Sequence, residues 1–514
     1  MNDHKMVSRF LCISSGALTA CAFTFPQAAS LCLFSLVPFC LAVSKWSRNL
    51  RELALSGWLF GMSLYLPLLF WLWELYPLTG YGLSPAISAI FLGLGSLIIA
   101  ATESLLLCLA LLPLPVLTQR LPPLFLFPFL YLLGEALQER AGFFAFPWGR
   151  LGAVLAHVTP FIQSASVLGS LLLSFFILII NCLLAYALCC LTSRPKMAAL
   201  CAACAVAVFW GNYAWGAARL RNARQVPSTE VLVVQGNLPS MSKWEAGLEE
   251  TLERYLRLSQ QGITPSTRLV FWPETAVPTV LEEEPEILAQ LTQFAARHNL
   301  ILVTGMFDTD PSCAKRFNAM CVVSAQGVSR TYRKQRLVPM GEQIPFEAAL
   351  RGAFPDLLRE VPEGICPGAQ SEPLPTEYGS LGGLICYESI FPGITRSSVR
   401  RGAELLVLLS NDSWFGNSPA LVQHHAHGVL RAVENGRWLV RAGNTGISSV
   451  ISPTGEIVAT LPAHTTGSLL AQVEFLQRPT LYSRLGDVLL LPSLLLYLYG
   501  IFAALWNNYK NRQR

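Results

Sequence analysis

Cys386, Glu274 and Lys334 each stand at an expected strand end. The three segments are Leu384-Ile385-Cys386-Tyr387-Glu388, Phe271-Trp272-Pro273-Glu274-Thr275 and Tyr332-Arg333-Lys334-Gln335-Arg336-Leu337-Val338-Pro339, the last continuing to Gly341-Glu342. A thiol nucleophile needs a base to make its thiolate and a fixed cation to stabilise the oxyanion of a tetrahedral intermediate. One Cys, one Glu and one Lys supply those parts. A carboxylate held in an apolar setting by Trp272 and Pro273 has its pKa raised toward the working pH. Taken singly, each residue has a plainer explanation: a Glu at a solvent-facing turn, a basic edge of Arg330, Arg333, Lys334 and Arg336, and a small buried thiol ending a strand. The combination is what points to acyl chemistry.

Such residues must be held by a scaffold, and the pattern between 229 and about 475 provides one. Short β-branched runs at 231–235, 269–272, 300–305, 320–324, 383–386, 405–410 and 448–452 alternate with amphipathic stretches at 244–259, 285–298 and 424–435. Strand–helix alternation over about 250 residues predicts a layered α/β domain with its active residues at strand ends. His424, His425 and His427 invite a metal reading, but no paired carboxylate motif accompanies them, so they are expected to be surface histidines of a helix.

The rest of the chain has another character. Of 514 residues, 53% are hydrophobic and 13% charged, against about 25% charged in a soluble domain. Only six of the 32 acidic residues precede Leu220. A spanning helix needs about 20 mostly apolar residues. Seven such stretches come first, at 10–25, 28–43, 54–76, 84–112, 124–137, 161–191 and 197–215, and an eighth follows at 488–506. Lys5, Arg9, Lys45, Arg48, Arg51, Arg120, Arg194, Lys196 and the terminal Lys510, Arg512 and Arg514 then all fall on one side, with Arg140 and Arg150 as exceptions. That bias places both termini in the cytoplasm and the α/β segment outside. A net charge of +5 with no Lys/Arg block gives no reason to expect nucleic acid. Leu18-Thr19-Ala20-Cys21 imitates a lipoprotein cleavage box, but the apolar run continues through it, so the first helix is read as uncleaved. Cys201-Ala202-Ala203-Cys204 is read as small-residue helix packing, and Glu103 as an intramembrane acid facing a cavity or a partner.

The order Glu, Lys, Cys in the contexts Pro-Glu, Tyr-x-Lys and Cys-Tyr-Glu resembles the triad of the nitrilase superfamily of carbon–nitrogen hydrolases. Seven spans, an external domain of that kind and one closing span are similar to the bacterial apolipoprotein N-acyltransferase family, over essentially the whole chain. The motifs that carry the likeness are Val234-Gln235-Gly236-Asn237-Leu238-Pro239 with Trp244 beyond it, Leu337-Val338-Pro339-Met340-Gly341-Glu342, Ser410-Asn411-Asp412-Ser413-Trp414-Phe415-Gly416, and Phe146-Pro147-Trp148. Arg336 and Met340 depart from it, standing where His and Phe are usual, which puts substrate fit in question more than the chemistry.

The resemblance implies a multi-pass α-helical membrane domain at 1–218, a nitrilase-like αββα sandwich at 219–484, and a closing helix with a cytoplasmic tail at 485–514. It implies an inner-membrane enzyme with its catalytic domain on the periplasmic side and with no metal or organic cofactor. Cys386 would attack the acyl ester of a membrane glycerophospholipid, commonly phosphatidylethanolamine. Glu274 would move the proton and Lys334 hold the oxyanion. The acceptor would be the free amine of the diacylglyceryl-cysteine of an apolipoprotein. Glu342, Tyr387 and Glu388 would support the site, and Trp244, Trp414 and Trp148 would serve as lid or substrate contacts, with Phe144 and Phe146 beside Trp148. The alternative is a membrane-tethered amidase or nitrilase. The pairing of Cys313, Cys321 and Cys366 stays open, with Cys386 a free thiol.

Overall fold

The computed structural model describes residues 2–223, 226–238, 240–310, 313–344, 347–353, 364–370 and 372–512. Two compact units emerge. One comprises Met1–Trp73, Ile90–Arg221 and Leu485–Arg514; the other comprises Glu74–Ala89 and Asn222–Arg484.

The first unit is helical. Among the described residues, seven helices are long and apolar enough to cross a membrane: His4–Thr24, Pro26–Trp46, Leu50–Leu75, Pro85–Leu117, Ser170–Cys190, Pro195–Asn222 and Leu490–Lys510. The stretch expected as a fifth span forms the helix Pro123–Arg140, but Glu135, Glu139 and Arg140 fall within its 18 residues and lower its apolarity. The span expected at 161–191 is shorter than its apolar run. Thr159–Ile162 and Ala165–Leu168 are separate turns, and Gly169 (φ 76°) breaks the chain before Ser170–Cys190. The first helix continues through Cys21 to Thr24. Cys201 and Cys204 are free thiols, one buried and one exposed. Glu103 is fully buried, and neither of its carboxylate oxygens has a hydrogen-bond partner among the described residues.

The second unit is built on strands β1 (Thr229–Gln235), β2 (Thr267–Phe271), β3 (Ile301–Asp310), β4 (Cys313–Ser324), β5 (Gly327–Arg333), β6 (Leu374–Thr376), β7 (Gly379–Ile385), β8 (Leu405–Ser410), β9 (Leu439–Gly443), β10 (Ser448–Ile451), β11 (Ile457–Leu461) and β12 (Gly467–Val473). They form two six-stranded sheets, ordered β12-β1-β2-β3-β4-β5 and β11-β10-β9-β8-β7-β6. Strand alternation explains the layering, because successive side chains point to opposite faces. Val231, Val233, Leu269, Phe271 and Val303 pack with Ile385, Leu405, Val407 and Val440 of the other sheet. Their neighbours Leu232, Val234, Val270, Trp272 and Leu302 face outward onto Tyr255, Leu256, Leu291 and Phe294 of the helices Ser240–Gly262 and Pro285–His298. Helices Pro392–Arg400 and Ala420–Asn435 contact the second sheet. The result is an αββα sandwich.

Candidate active site

Glu274, Lys334 and Cys386 follow β2, β5 and β7, and all three are buried. Two of these turns are backbone-strained. Thr275 (φ 48°) and Cys386 (φ 51°) occupy the left-handed region, which non-glycine residues adopt at a cost of about 1 kcal/mol or more. Gly305 makes the first turn possible, since a Cβ there would stand 2.7 Å from Glu274 Cα and closer still to the Thr275 nitrogen.

Lys334 Nζ donates to Glu274 Oε1 (3.1 Å) and to Glu342 Oε1 (2.8 Å). Asn318 Nδ2 donates to the same two oxygens, at 2.7 and 3.0 Å. The Asn411 N–H donates to Glu274 Oε2 (2.8 Å), and the Val338 N–H to Glu342 Oε2 (2.9 Å). Glu274 is therefore held in a polar network, not in the apolar setting its Trp-Pro context suggested. Trp272 points to the outer face, stacking on Tyr255 (5.3 Å between ring centres) and donating to Ser259 Oγ (2.8 Å).

Burial alone would lower the Lys334 ammonium, but Glu274 and Glu342 more than reverse this and hold it well above its usual range. Burial pushes the Cys386 thiol up. The Glu274 carboxylate adds to that rise and Lys334 opposes it. Burial therefore favours the neutral thiol, and Lys334 favours the thiolate.

Glu388 ties two of the turns together. Its Oε2 accepts from the Ile385 N–H (2.7 Å) and the Tyr332 hydroxyl (2.8 Å), and its Oε1 accepts from the Gln335 N–H (2.6 Å) and the Arg336 N–H (3.2 Å). One carboxylate thus joins the backbone before Cys386 to the backbone after Lys334. Burial pushes this carboxyl up to about 7, against the pull of the Ile385 and Gln335 amides.

The remaining expected residues are dispersed. Tyr387 is buried with its ring edge-on to Phe391, while Trp414 is 39% exposed in the turn Asp412–Phe415. Trp148 belongs to the helical unit, packed on Phe146 (5.7 Å) and Trp71 (5.5 Å). The side chains of Trp244 and Cys313 lie outside the described residues, as does Pro239. Arg336 sits over the Phe391 ring (5.4 Å), and Met340 is exposed at φ 63°. Cys366 is disulfide-bonded, and Cys321 and Cys386 are free.

The histidines are not surface residues. His424, His425 and His427 are all buried, because Ala420–Asn435 presents that face inward. Cys386, Asp412 and His424 place a thiol, a carboxylate and an imidazole within 4.8 Å of one another, a donor set of metal-binding type. Arg441 already occupies it, with Nη2 2.6 Å from Asp412 Oδ2 and 3.0 Å from His424 Nδ1. A fixed guanidinium there opposes a second cation. Sequence reading missed Asn318, Asp412 as a charged partner, and Arg441. Of these only Asp412 lay in a quoted motif.

Comparison with known proteins settles the family. Residues 230–477 match the carbon-nitrogen hydrolase family, and residues 15–183 match the apolipoprotein N-acyltransferase N-terminal domain. The apolipoprotein N-acyltransferase of Geobacter metallireducens is 32% identical over 95% of this chain and 94% of its own. The chain belongs to the apolipoprotein N-acyltransferase family. The Gloeobacter violaceus member is 33% identical over 87% of this chain and 85% of its own, and that of Pseudomonas putida 30% identical over 92% of each. Among solved structures, Saccharomyces cerevisiae Nit3, of branch 10 of the nitrilase superfamily, covers 49% of this chain and 91% of its own at 22% identity and TM-score 0.39. An amidase from Nesterenkonia sp. covers 50% and 95% at 19% identity and TM-score 0.35. By homology this acyltransferase family member joins a multi-helix membrane part to a nitrilase-like domain.

Proposed function

We propose that the chain transfers an acyl chain from a membrane glycerophospholipid to the N-terminal amine of a diacylglyceryl-cysteine lipoprotein, through a thioester on Cys386. The observation that carries this reading is the clustering of Glu274 and Lys334 by a direct 3.1 Å ion pair, with both charges acting on the Cys386 thiol, in a chain of this family. In the first half-reaction Glu274 takes the thiol proton as sulfur bonds to the ester carbonyl carbon. Lys334 and nearby donors stabilise the oxyanion. Collapse breaks the C–O bond, and the lysophospholipid alkoxide leaves with the proton from Glu274. In the second half the lipoprotein amine attacks the thioester, Glu274 relays its proton to the departing sulfur, and an amide forms. Phosphatidylethanolamine fits as donor because its acyl ester lies at the bilayer surface.

We place the α/β unit on the outer face of a bacterial inner membrane, with both termini in the cytoplasm. The Lys/Arg bias supports this. So does the disulfide at Cys366, since disulfides persist in oxidising compartments. Glu342 positions Lys334, and Glu388 clamps the two turns. Mass spectrometry of a client lipoprotein, with and without this protein, tests the reading. One added amide-linked acyl chain is the expected result, and an unchanged N-terminus in the presence of active protein contradicts it.

A further inference from the structure

The chemistry proposed above uses one polar cluster near Cys386, yet the nucleophile touches a second one. His424 Nε2 lies 3.0 Å from the Cys386 carbonyl oxygen. A carbonyl only accepts, so Nε2 carries the proton and donates. The other ring nitrogen is 3.0 Å from Asp412 Oδ1 and 3.0 Å from Arg441 Nη2. Arg441 Nη2 also reaches Asp412 Oδ2 (2.6 Å), and Arg441 Nε donates to the Ile447 carbonyl (3.0 Å). Ser410 Oγ donates to Asp412 Oδ1 (2.6 Å). With Nε2 protonated, Nδ1 accepts from Arg441, which also donates to Asp412, so the Cys386 carbonyl is tied through His424 and Arg441 to Asp412. Ser410, Asp412, His424 and Arg441 are each fully buried.

Three features mark this cluster as built to hold a shape. Cys386 is left-handed, and a strained nucleophile persists only if its surroundings over-determine it. Gly446 presses its backbone against Asp412, where any Cβ would overlap the carboxylate. Phe415 closes edge-on over the imidazole (5.5 Å between ring centres).

We propose that His424, fixed by Arg441 and its partner Asp412, is a positioning residue that locks the Cys386 turn through its carbonyl. The inference rests on Cys386 being the nucleophile. Throughout, Arg441 keeps Asp412 compensated. The charged groups facing the sulfur are Glu274 after β2, Lys334 after β5 and Asp412 after β8. Those facing His424 are Asp412, Arg441 on β9 and the adjacent His425.

The test uses full-length protein in detergent with phosphatidylethanolamine. It measures the donor KM, the acylation rate and the pH profile of iodoacetamide alkylation at Cys386, the last read by peptide mass spectrometry. His424→Leu should slow acylation about 10- to 100-fold at unchanged donor KM and move the alkylation profile to higher pH. His424→Gln keeps an N–H donor and should recover most of both. A folded His424→Leu protein with the wild-type rate and profile overturns the proposal, as does a His424→Gln protein no better than His424→Leu. If His424→Leu does not fold, His424→Asn decides: its shorter amide stops short of the Cys386 carbonyl, so an alkylation profile at higher pH than that of His424→Gln is expected, and a wild-type profile overturns the proposal. Alkylation needs no acyl transfer, so failure of the brace is separable from failure of the functional reading, which active Cys386→Ala protein would show.

Discussion

Both units of this molecule bury charge, but they use it differently. In the α/β unit the buried charges stand at strand ends in dense, shared networks: Glu274, Lys334 and Glu342 on one side, and Asp412, His424 and Arg441 on the other. In the helical unit Arg150 Nη2 donates to Glu139 Oε2 (2.6 Å) and Arg150 Nη1 to Ser170 Oγ (3.1 Å), while Glu135 Oε1 accepts from the Leu151 N–H (2.9 Å) and the Ser174 hydroxyl (3.1 Å). These contacts pin the irregular 142–158 segment that carries Trp148 to its neighbouring helices. An isolated charge in an apolar interior costs several kcal/mol unless paired, so each site must close its own ledger. The lesson is that burial of charge alone does not mark chemistry. What sets the strand-end cluster apart is the left-handed Cys386 among its charges.

The largest effects should come from the strand-end cluster. Cys386→Ala should abolish turnover and the hydroxylamine-labile acyl adduct while leaving membrane insertion intact, because it removes a reacting atom and little packing. Glu274→Gln cannot accept the thiol proton and should slow adduct formation about 100- to 10,000-fold. Lys334→Arg should cost about 100- to 1,000-fold, since a planar guanidinium cannot take an ammonium's place between Glu274 and Glu342. A persistent adduct in Cys386→Ala would erase the contrast between the units.

Next comes sidedness. An impermeant thiol reagent on intact spheroplasts should label a cysteine placed at Gly80 or Gln370, both exposed, and miss one at Asn49. Labelling only at Asn49 would invert the topology.

The helical unit should respond in stability. Arg150→Met leaves Glu139 without its 2.6 Å partner and should destabilise the protein by about 3 kcal/mol. Melting in detergent should fall, while the Cys386 alkylation profile of the folded fraction stays fixed. A shifted profile would mean the two kinds of buried charge are coupled. The smallest effect is expected from Cys204→Ser, which should change neither melting nor acyl transfer, because that thiol is free and exposed.

These differences also explain what the sequence revealed. Strand ends are local: Val231–Gln235 and Leu405–Ser410 stand out as short apolar runs, and Glu274 and Cys386 lie at the ends of such runs, whereas Lys334 follows the mixed strand Gly327–Arg333. Edge strands such as Ile457–Leu461 were missed because one face is solvated and their pattern is mixed. The inward turn of His424 was invisible because it depends on which face of Ala420–Asn435 meets the second sheet, a tertiary choice that helix periodicity does not reveal for polar residues. Arg441 was hidden inside a strand, where a buried arginine is explicable only once Asp412 stands opposite it. In the helical unit, uniform apolarity erased the breaks at Gly169 and at Phe34–Leu36, since composition does not report where a helix pauses.

The central claim is that one buried cysteine carries the acyl group between two lipid substrates. It is tested by following the Cys386 thioester in phosphatidylethanolamine vesicles, before and after adding a diacylglyceryl peptide with a free α-amine. The thioester should be long-lived in phospholipid alone and should discharge only on peptide addition, giving one amide-linked chain, with an N-acetylated peptide inert. Rapid turnover to free fatty acid, at a rate the peptide does not change, would contradict the claim and make the protein a membrane-tethered hydrolase.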